Sequence, residues 1–488
     1  MDSELDVIII GAGFAGLAAA DRLDQINAQR EQAGESTFSF GILEGSARAG
    51  GRTYTKQPTL GYLDMGGQYL APRYLDPKLN GTPQTAIWNL VDRFKIDTFP
   101  TYVPNDKKDL HVYQDASGAI SRFTGNFPGE ADPMVIAVLA QVEALVSEIR
   151  YHIGRPWEHE KAQSFDQLSV QDWMDANITD PAMAELFTVA IRSAFSIEPK
   201  EVSLLHLLHY AASCGSFVAF ENVLGGGDAI RFRFGTGDLI DRLTQSIGLG
   251  RIAYSQRVLS IEQSSTSCTV TTEDDEKNVK TWRARRVIVA MSPSASARLD
   301  YTPPLRAARQ QLTLGMPMAH TIKGYALYRR PWWRGPNSGY VLSAKGPADW
   351  IMDNTWEAAD GSLGPASLMT FIAGDQAVKW GNSPTIGPAD REAAVRAQIR
   401  TVFNADGVEQ AEFEKYVDWD WGSDTWAAGC PAGCLLPSVL TTVGYALYEP
   451  FGRIHWSGSE TGLVWMGGYM NGAVDAGIRA ANQVATLL

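Results

Sequence analysis

The chain has 488 residues, about three times the ~150 residues of a typical domain, so we expect at least two packed lobes. Hydrophobic residues make up 45% of it and charged residues 20%, which excludes a disordered, collagen-like or coiled-coil protein. The net charge of −13 comes without a basic run, which excludes the electrostatic pattern of a nucleic-acid-binding protein.

Cysteine usage and the N-terminus indicate the compartment. The four cysteines, Cys214, Cys268, Cys430 and Cys434, do not form a disulfide framework in a chain of this length, and no histidine lies at zinc spacing near the Cys430/Cys434 pair. We therefore expect no metal site. The opening Met1-Asp2-Ser3-Glu4 lacks the positive charge of a signal peptide, and the apolar stretch 7–20 is too short to span a membrane. We expect a soluble cytoplasmic protein without a membrane anchor.

The first predicted elements form a strand, a tight turn and a helix. A β-branched run predicts a strand over 6–10, and a Gly/Ala-rich segment from Gly11 to Leu23 has helical spacing. The polar stretch 25–37 is interpreted as a surface insertion. A second strand is predicted over 38–43, directly before Glu44.

Residues 80–230 are predicted to be mainly helical. Asp132-Pro133 starts a helix reaching about 153 and Asp180-Pro181 starts one to 195, because each offers an acidic cap followed by a first-turn proline. Later elements are predicted as strands over 251–263, 267–272, 286–291, 321–328 and 453–456, and as helices over 389–403 and about 469–487. Nucleotide-type strands thus occur at the beginning, middle and end of the chain, which predicts two interleaved domains.

The turn after the first strand carries a dinucleotide-binding pattern. Residues Gly11, Gly13 and Gly16 fit G-x-G-x-x-G, with Phe14 and Ala15 at the start of the helix. The glycines permit the turn, the approach of a pyrophosphate and close helix packing, and the helix N-terminus attracts the phosphates. Glu44, at the end of the next strand, is predicted to accept hydrogen bonds from ribose hydroxyls.

Two more glycine-rich segments distinguish the cofactor. Arg48 precedes Gly50-Gly51-Arg52, and Asp64 precedes Gly66-Gly67-Gln68-Tyr69. Near the end stand Gly458-Ser459-Glu460 and Gly468-Tyr469-Met470. In this order, and with Lys323 before Pro331-Trp332-Trp333-Arg334, the motifs resemble the flavin-containing monoamine oxidase family over nearly the whole chain.

The resemblance implies a cofactor, FAD, and a fold. The fold is α/β, with a Rossmann-like FAD-binding domain (1–85, 228–300 and 428–488) interleaved with a mixed α+β substrate domain (86–227 and 301–427). The residues implied to bind FAD are Gly11, Gly13, Phe14, Ala15, Gly16, Glu44, Arg48, Gly50, Gly51, Arg52, Gly66, Gly67, Gln68, Tyr69, Val258, Cys430, Gly458, Ser459, Glu460, Gly468, Tyr469 and Met470. Cys430 aligns with a cysteine that some members link to the flavin, although non-covalent binding is slightly favoured here.

The resemblance also implies catalytic residues. Lys323 corresponds to a buried lysine that holds a water beside flavin N5. Tyr469 corresponds to one wall of an aromatic cage, and Trp421 to a tryptophan close to the ring. The implied substrate pocket comprises Tyr69, Leu205, Leu208, Ser213, Pro431 and Tyr469.

The chain departs from the family at two pocket positions. Pro431 stands where the family has a second tyrosine wall, and either Trp426 or Trp465 is a candidate to replace it. Ser213 stands where glutamine is common. The favoured amine therefore stays open.

The implied reaction is oxidation of an amine to an imine, with reduction of dioxygen to hydrogen peroxide. The partners are then an amine and dioxygen, with no nucleic acid, and a homo-oligomer stays open. An L-amino-acid oxidase is disfavoured because Gln68 occupies the position of the arginine that binds a substrate carboxylate, whereas a polyamine oxidase stays open. A non-catalytic flavin-binding interaction protein is disfavoured because the chain lacks long helical insertions and basic stretches. The later motifs disfavour an NAD-dependent dehydrogenase.

Overall fold

The computed structural model describes residues 4–57, 61–102, 110–222 and 225–488. Met1, Asp2 and Ser3, on which the signal-peptide prediction rests, lie outside these ranges. Among the helices within them, none combines the length and the apolarity that crossing a membrane requires.

The strands are distributed along the whole described chain. In chain order they are β1 (Leu5–Ile10), β2 (Phe40–Leu43), β3 (Thr55–Lys56), β4 (Leu63–Asp64), β5 (Tyr69–Leu70), β6 (Thr98–Pro100), β7 (Leu110–Gln114), β8 (Ile120–Phe123), β9 (Ile230–Phe232), β10 (Ile252–Ala253), β11 (Arg257–Gln263), β12 (Cys268–Glu273), β13 (Val279–Ala290), β14 (Asp300–Thr302), β15 (Thr321–Tyr328), β16 (Asn337–Ser343), β17 (Trp350–Asp353), β18 (Ala366–Ala373), β19 (Phe413–Asp420) and β20 (Ile454–Ser457).

The α-helices are most frequent between β8 and β9, and the others are distributed along the rest of the described chain. In chain order they are α1 (Phe14–Gln32), α2 (Thr85–Arg93), α3 (Pro133–Ile149), α4 (Ala162–Asp166), α5 (Val170–Asn177), α6 (Pro181–Phe195), α7 (Leu204–Cys214), α8 (Phe217–Glu221), α9 (Thr236–Ile247), α10 (Pro293–Ser296), α11 (Ala307–Leu314), α12 (Gly374–Trp380), α13 (Pro388–Phe403), α14 (Asp406–Glu412), α15 (Val439–Val443) and α16 (Met470–Ala485).

The first large sheet joins strands from the start, middle and end of the chain, as the sequence predicts. Its order is β10-β2-β1-β13-β12-β11-β14, and β20 also pairs with β13. Strands β2, β1, β13 and β20 run parallel, with Ile9 opposite both Ile42 and Ile288. Residues Val7 to Ile10 are at most 3% exposed. Such a continuous apolar run is typical of a parallel strand covered on both faces. This is the expected α/β fold with a Rossmann-like sheet.

The second large sheet carries the predicted lysine strand. Its order is β19-β15-β18-β17-β16-β7-β8, and β15 pairs antiparallel with both β18 and β19. Strands β6, β7 and β8 lie in the segment predicted to be mainly helical, so that prediction is wrong for 98–100 and 110–123. The residue boundaries of the two predicted domains stay a prediction.

Helix and strand bounds agree with the sequence where local signals are strong. Helix α6 begins after the cap Asp180 and ends at Phe195, and β15 has the predicted bounds. Strand β13 begins seven residues before the predicted position, at Val279. The first half of β13 alternates exposed with buried residues and carries charges on its exposed face, which hides it from a search for apolar runs.

Helix α1 is longer than predicted, because it continues through Gln32. Residues 25–32 of the polar stretch therefore form about two helical turns, and not part of a surface insertion. Their side chains are mostly exposed, so polarity alone does not separate a solvated helix from a loop. The unusual spacing from Gly11 to Glu44 reflects this longer helix and a short connection after it.

The first and last long helices pack directly against each other. A Cβ atom on Gly477 of α16 would lie 2.2 Å from the backbone oxygen of Ala15 and 3.0 Å from the Cβ of Ala18. Ala480 and Ala481 are fully buried in the same core as α1. Small side chains thus let the two helices approach to backbone contact.

We expect Gly477→Ala to lower the free energy of unfolding by about 1–3 kcal/mol, because the new methyl group must push α16 away from α1. Denaturant unfolding followed by circular dichroism measures the change. Gly250→Ala is the matched control, since a Cβ there has nothing within 4 Å. Equal midpoints for the two variants would contradict the close packing.

Candidate active site

One cavity of about 920 Å³ collects residues from both large sheets and from the helical layer. We call the part lined by residues 11–15, 44–53 and 424–427 its nucleotide end. Its other part, the aromatic end, is lined by Tyr69, Phe187, Tyr210, Phe217, Phe220, Trp350, Phe371 and Tyr469, together with Lys323 and Trp421. The motifs that the sequence singled out therefore meet at one cavity.

The glycine turn opens the nucleotide end. Gly11 has φ +101, and a Cβ on Gly16 would lie 1.8 Å from the oxygen of Gly11, so only glycine fits there. Helix α1 begins at Phe14 with Gly13 as its N-cap, and no described side chain caps it. Because Phe14 and Ala15 line the cavity, the first-turn N–H groups and the positive end of the helix lie at its wall.

Glu44 lies beside this turn. Its carboxylate accepts a hydrogen bond from the backbone N–H of Ala12 at 2.6 Å and from that of Ser46 at 2.8 Å. The side chain is buried and also lines the cavity, as does Val258. The two backbone donors hold the carboxylate at the turn, where the sequence predicts a ribose contact.

The two predicted arginines have different partners. Arg48 donates to the carbonyl oxygens of Ala49, Gly51 and Thr53, so it shapes the glycine-rich loop that it precedes. It also lines the cavity, as Gly50 and Gly51 do.

Arg52 forms a buried ion pair with Glu460 at 2.5 Å. Burial alone would raise the pKa of Glu460, but the guanidinium of Arg52 outweighs it and lowers this pKa. Arg52 lines the cavity, whereas Glu460, a predicted cofactor residue, is not among the residues that line it. Glu460 instead holds Arg52 in position.

A second helix N-terminus opens on the same cavity. Helix α16 begins at Met470 with Tyr469 as its N-cap, and no described side chain caps it. Met470 lines the cavity together with Gly458, Ser459 and Gly468. The positive end of α16 is therefore available to a negatively charged group there.

Lys323 projects from the centre of β15 and is 4% exposed. Its Nζ donates to the oxygen of Gly66 at 2.9 Å and to Oε1 of Gln68 at 2.7 Å. Burial lowers the pKa of Lys323 to about 7, and the carboxyl group of Asp64 partly opposes that shift. Tyr325 donates to the same Gln68 oxygen at 2.6 Å. Gln68 is thus committed to protein partners.

Two of the predicted aromatic residues, Trp421 and Tyr469, line the cavity. Trp421 is fully buried, donates to the oxygen of Met65 at 2.8 Å and lines the cavity beside Gly66 and Gly67. The ring of Tyr469 lies 4.7 Å from that of Trp465 in an edge-to-face arrangement, and 5.9 Å from that of Tyr210.

Neither tryptophan proposed for the second wall occupies it. Trp465 is fully buried behind Tyr469 and is not among the lining residues. Trp426 lines the nucleotide end, where its ring lies against Gly45. Pro431 does line the cavity, and a Cβ on Gly468 would lie 3.0 Å from the Cβ of Pro431. Neither Trp426 nor Trp465 therefore provides the second wall of the predicted cage.

The substrate-pocket prediction for α7 needs correction. Leu205, Leu208 and Ser213 are not among the residues that line the cavity, although they lie on the predicted helix. The two leucines are buried in the helical core, and the Ser213 hydroxyl donates to the oxygen of Tyr210 at 2.7 Å. Tyr210 is the residue of α7 that reaches the cavity. Every residue of α7 is buried, so the hydrophobic pattern of its sequence does not indicate which face of the helix lines the cavity.

Cys430 lines the cavity as a thiol, and burial raises its pKa to about 11. The positive charges of Arg52 and Lys323 partly oppose that increase. A covalent link through this sulfur stays a prediction, as does the favoured non-covalent alternative.

The residues of this cavity fit a flavin dinucleotide. Two uncapped helix N-termini open on one space, one at the glycine turn and one at the aromatic end. The first can hold the pyrophosphate and the second a ring that accumulates negative charge on reduction. Glu44 and Arg52 would hold the adenosine diphosphate part, and Gly66, Gly67 and Trp421 the flavin ring.

Comparison with known proteins identifies the family. The sequence model of the flavin-containing amine oxidoreductase family matches residues 14–485. Probable flavin-containing monoamine oxidase A of Dictyostelium discoideum is 27% identical over 487 residues, covering 99% of this chain and 98% of that protein. Flavin-containing amine oxidase B of Sus scrofa is 27% identical, covering 99% of this chain and 86% of that protein. The solved structure of cyclohexylamine oxidase from Brevibacterium oxydans IH-35A is 26% identical, with a TM-score of 0.85 and 99% of each chain covered.

The chain therefore belongs to the flavin-containing amine oxidoreductase family. It is an FAD-dependent amine oxidase, which oxidises an amine to an imine and reduces dioxygen to hydrogen peroxide. The imine then hydrolyses to a carbonyl compound.

We expect Glu44→Ala to weaken FAD retention more than it changes the KM for amine in the remaining holoenzyme, because Glu44 lies at the nucleotide end. The ratio of flavin to protein absorbance after gel filtration measures retention. Glu44→Gln, which keeps an acceptor oxygen, should lose less FAD. A changed KM for amine with full FAD content would contradict the role of Glu44 in cofactor binding.

Proposed function

We propose that this family member oxidises a neutral amine at the aromatic end of the cavity, with Lys323, Tyr469 and Trp421 as its catalytic residues. The observation that carries the proposal is that Lys323 and the N-terminus of α16 line the same cavity as the glycine turn of α1. Bound FAD supplies the two-electron chemistry, taking a hydride equivalent from the amine and passing electrons to dioxygen. The protein supplies position, exclusion of water and electrostatics.

Lys323 is arranged to hold a water molecule. An ammonium group has three N–H donors, and two of them go to Gly66 and Gln68. No other described residue takes its remaining position, which is left for a water in the cavity beside the residues that would hold the flavin ring; this position is an N–H of the ammonium or the lone pair of the neutral amine. The low pKa of this lysine, about 7, also limits the positive charge that the buried site must stabilise.

The aromatic walls favour an uncharged amine. Phe187, Phe217, Phe220 and Trp350 line this end together with Tyr210 and Tyr469. Removing an amine from water disfavours its charged form, so such walls favour the neutral form that reacts. Tyr469 occupies the N-cap position of α16, so it lies both at the positive end of the helix and at the proposed substrate position.

An amine substrate fits this end better than an amino acid does. A substrate carboxylate would need a cation, but Gln68 occupies the predicted position and already accepts from Lys323 and Tyr325. The arginines that line the cavity are Arg48, Arg52, Arg257 and Arg298, and Arg48 and Arg52 belong to the nucleotide end. Asp228, a carboxyl group, lines the aromatic end and would repel a substrate carboxylate.

The two large sheets supply different parts of the site, which supports the proposed division into two domains. The parallel sheet supports the glycine turn and Glu44, whereas β15 of the second sheet carries Lys323. We therefore assign FAD binding to 1–85, 228–300 and 428–488, and amine binding to 86–227 and 301–427. A cytoplasmic location and a homo-oligomeric state stay predictions.

The direct test is an amine panel under air. Purified holoenzyme is mixed separately with aryl-alkyl, long-chain aliphatic and polyamine substrates, and with L-amino acids, while a peroxidase-coupled assay records hydrogen peroxide. We expect peroxide with amines and none above background with amino acids. Turnover of amino acids alone would overturn the substrate assignment.

Lys323→Met should leave FAD bound but slow the reaction of the reduced enzyme with dioxygen by at least about tenfold, because the water that the lysine holds is lost. Stopped-flow absorbance of the anaerobically reduced enzyme mixed with oxygenated buffer measures this rate. Lys379→Met, at an exposed position on α12, is the control and should react at the wild-type rate. An unchanged rate of reaction with dioxygen in Lys323→Met would show that the lysine does not assist this step.

Tyr469→Ala should lower kcat/KM for amines by at least about tenfold, or ~1.4 kcal/mol, with FAD content unchanged. The physical reason is the loss of the wall that orients the amine, with only Pro431 at the position of a second tyrosine. Tyr469→Phe keeps the ring and should retain most of the activity. Steady-state kinetics of both variants decide between a wall and a packing residue.

A further inference from the structure

The aromatic end of the cavity contains a carboxyl group that the proposed chemistry does not use. Among the described residues that line the cavity, the acidic ones are Glu44, Asp424 and Asp228. Glu44 and Asp424 belong to the nucleotide end, where both act on Arg48. Asp228 instead acts electrostatically on Lys323 and on Tyr69.

The backbone on either side of Asp228 lies close to two tyrosines of the aromatic end, Tyr469 and Tyr69. A Cβ on the preceding residue, Gly227, would lie 3.2 Å from the hydroxyl of Tyr469. Three residues after Asp228, Arg231 of β9 pairs with Tyr69 of β5. The carbonyl oxygen of Asp228 accepts from the hydroxyl of Thr101 at 2.7 Å, which fixes its backbone.

The carboxyl group of Asp228 has no hydrogen-bond donor among the residues that the structure describes. Within the described residues, no side chain or backbone N–H donates to it, although it keeps part of its surface open to the cavity. Burial raises the pKa of Asp228 to about 7, and the charge of Lys323 partly opposes this shift. A buried carboxylate without donors is costly, so a ligand that brings a donor and a positive charge would bind favourably.

A second unused acceptor lines the same cavity. Asn222 is 5% exposed, and its Oδ1 has no hydrogen-bond partner among the described residues. Asn222 packs against the glycine segment that precedes Asp228, since a Cβ on Gly226 would be 2.8 Å from the Cβ of Asn222. A carboxylate and an amide oxygen thus both lack donors in an otherwise aromatic wall.

We propose that Asp228, assisted by Asn222, binds a second, positively charged amino group of the substrate, so that this enzyme prefers diamines to monoamines of equal length. The inference rests on the proposed function, since the first amino group must react beside Tyr469 and Lys323. The aromatic walls contact the methylene chain between the two groups. The bound ammonium supplies the missing donors and neutralises the carboxylate.

The competing explanation is that Asp228 serves only as a counter-charge for Lys323. In that case its removal would alter monoamine and diamine oxidation equally, since both use the same lysine. The ratio of the two activities therefore separates substrate recognition from support of Lys323.

The test compares 1,5-diaminopentane with 1-aminohexane, in which a methyl group replaces the second ammonium. Holoenzyme kcat/KM for each is measured at pH 7.5 by peroxide release. We expect a diamine-to-monoamine ratio of at least about ten in the wild type, and a fall of at least about tenfold in this ratio in Asp228→Asn, expressed mainly in KM. Asp300→Asn removes the same charge at an exposed position on β14 and should keep the ratio.

Binding without turnover provides a second measurement. The inhibition constant against 1-aminohexane oxidation should be lower for 1,5-diguanidinopentane than for 1-guanidinohexane in the wild type. In Asp228→Asn the two constants should become similar. If Asp228→Asn does not fold, Asn222→Leu should lower the same two ratios. A wild-type ratio near or below one, or a ratio unchanged by these variants, overturns the inference. Wild-type oxidation of 1-aminohexane still tests the proposed function separately.

Discussion

Backbone contact between α1 and α16 is the constraint on which the site depends. The two helices come from opposite ends of the chain, and their N-termini open on one cavity. Gly477 against Ala15 permits this approach, because any side chain at 477 would meet the backbone of α1. If the helices moved apart, the anion-binding end of α1 and the end of α16 beside Tyr469 would no longer serve one ligand. The fold therefore joins cofactor binding to catalysis through small residues that do no chemistry.

The buried polar network around Gln68 positions the other half of the site. Its amide oxygen accepts from both Lys323 and Tyr325, and its Nε2 donates to Asn354 at 3.1 Å. These bonds tie β15 of the second large sheet to the glycine-rich segment that follows Asp64, at the position of the lysine. A satisfied network of this kind fixes geometry at small net energetic cost, whereas one lost member would leave buried donors unpaired.

Most of the nucleotide end could be predicted from the sequence, because its chemistry depends on backbone and on local order. The turn at Gly11 follows from a few adjacent residues. So do two features of the aromatic end, the start of α16 after Tyr469 and the strand that carries Lys323. The strands between 98 and 123 could not be predicted in this way. β7 and β8 pair with each other locally, but β6 pairs with β9 and β7 also pairs with β16, each over a hundred residues away, and pairing over such distances has no local signal.

The aromatic end shows the same limit at the level of single side chains. Leu205 and Tyr210 lie on one buried helix, and only tertiary packing decides that Tyr210 reaches the cavity while Leu205 enters the core. Asp228 follows a run of glycines that predicts a loop, and nothing in that run indicates that the loop enters the site. The pairing of β9 with β5 and the contact of Gly227 with Tyr469 bring it there. Long-range packing therefore delivers several residues of the aromatic end to the cavity, whereas local sequence largely determines the glycine turn at its other end.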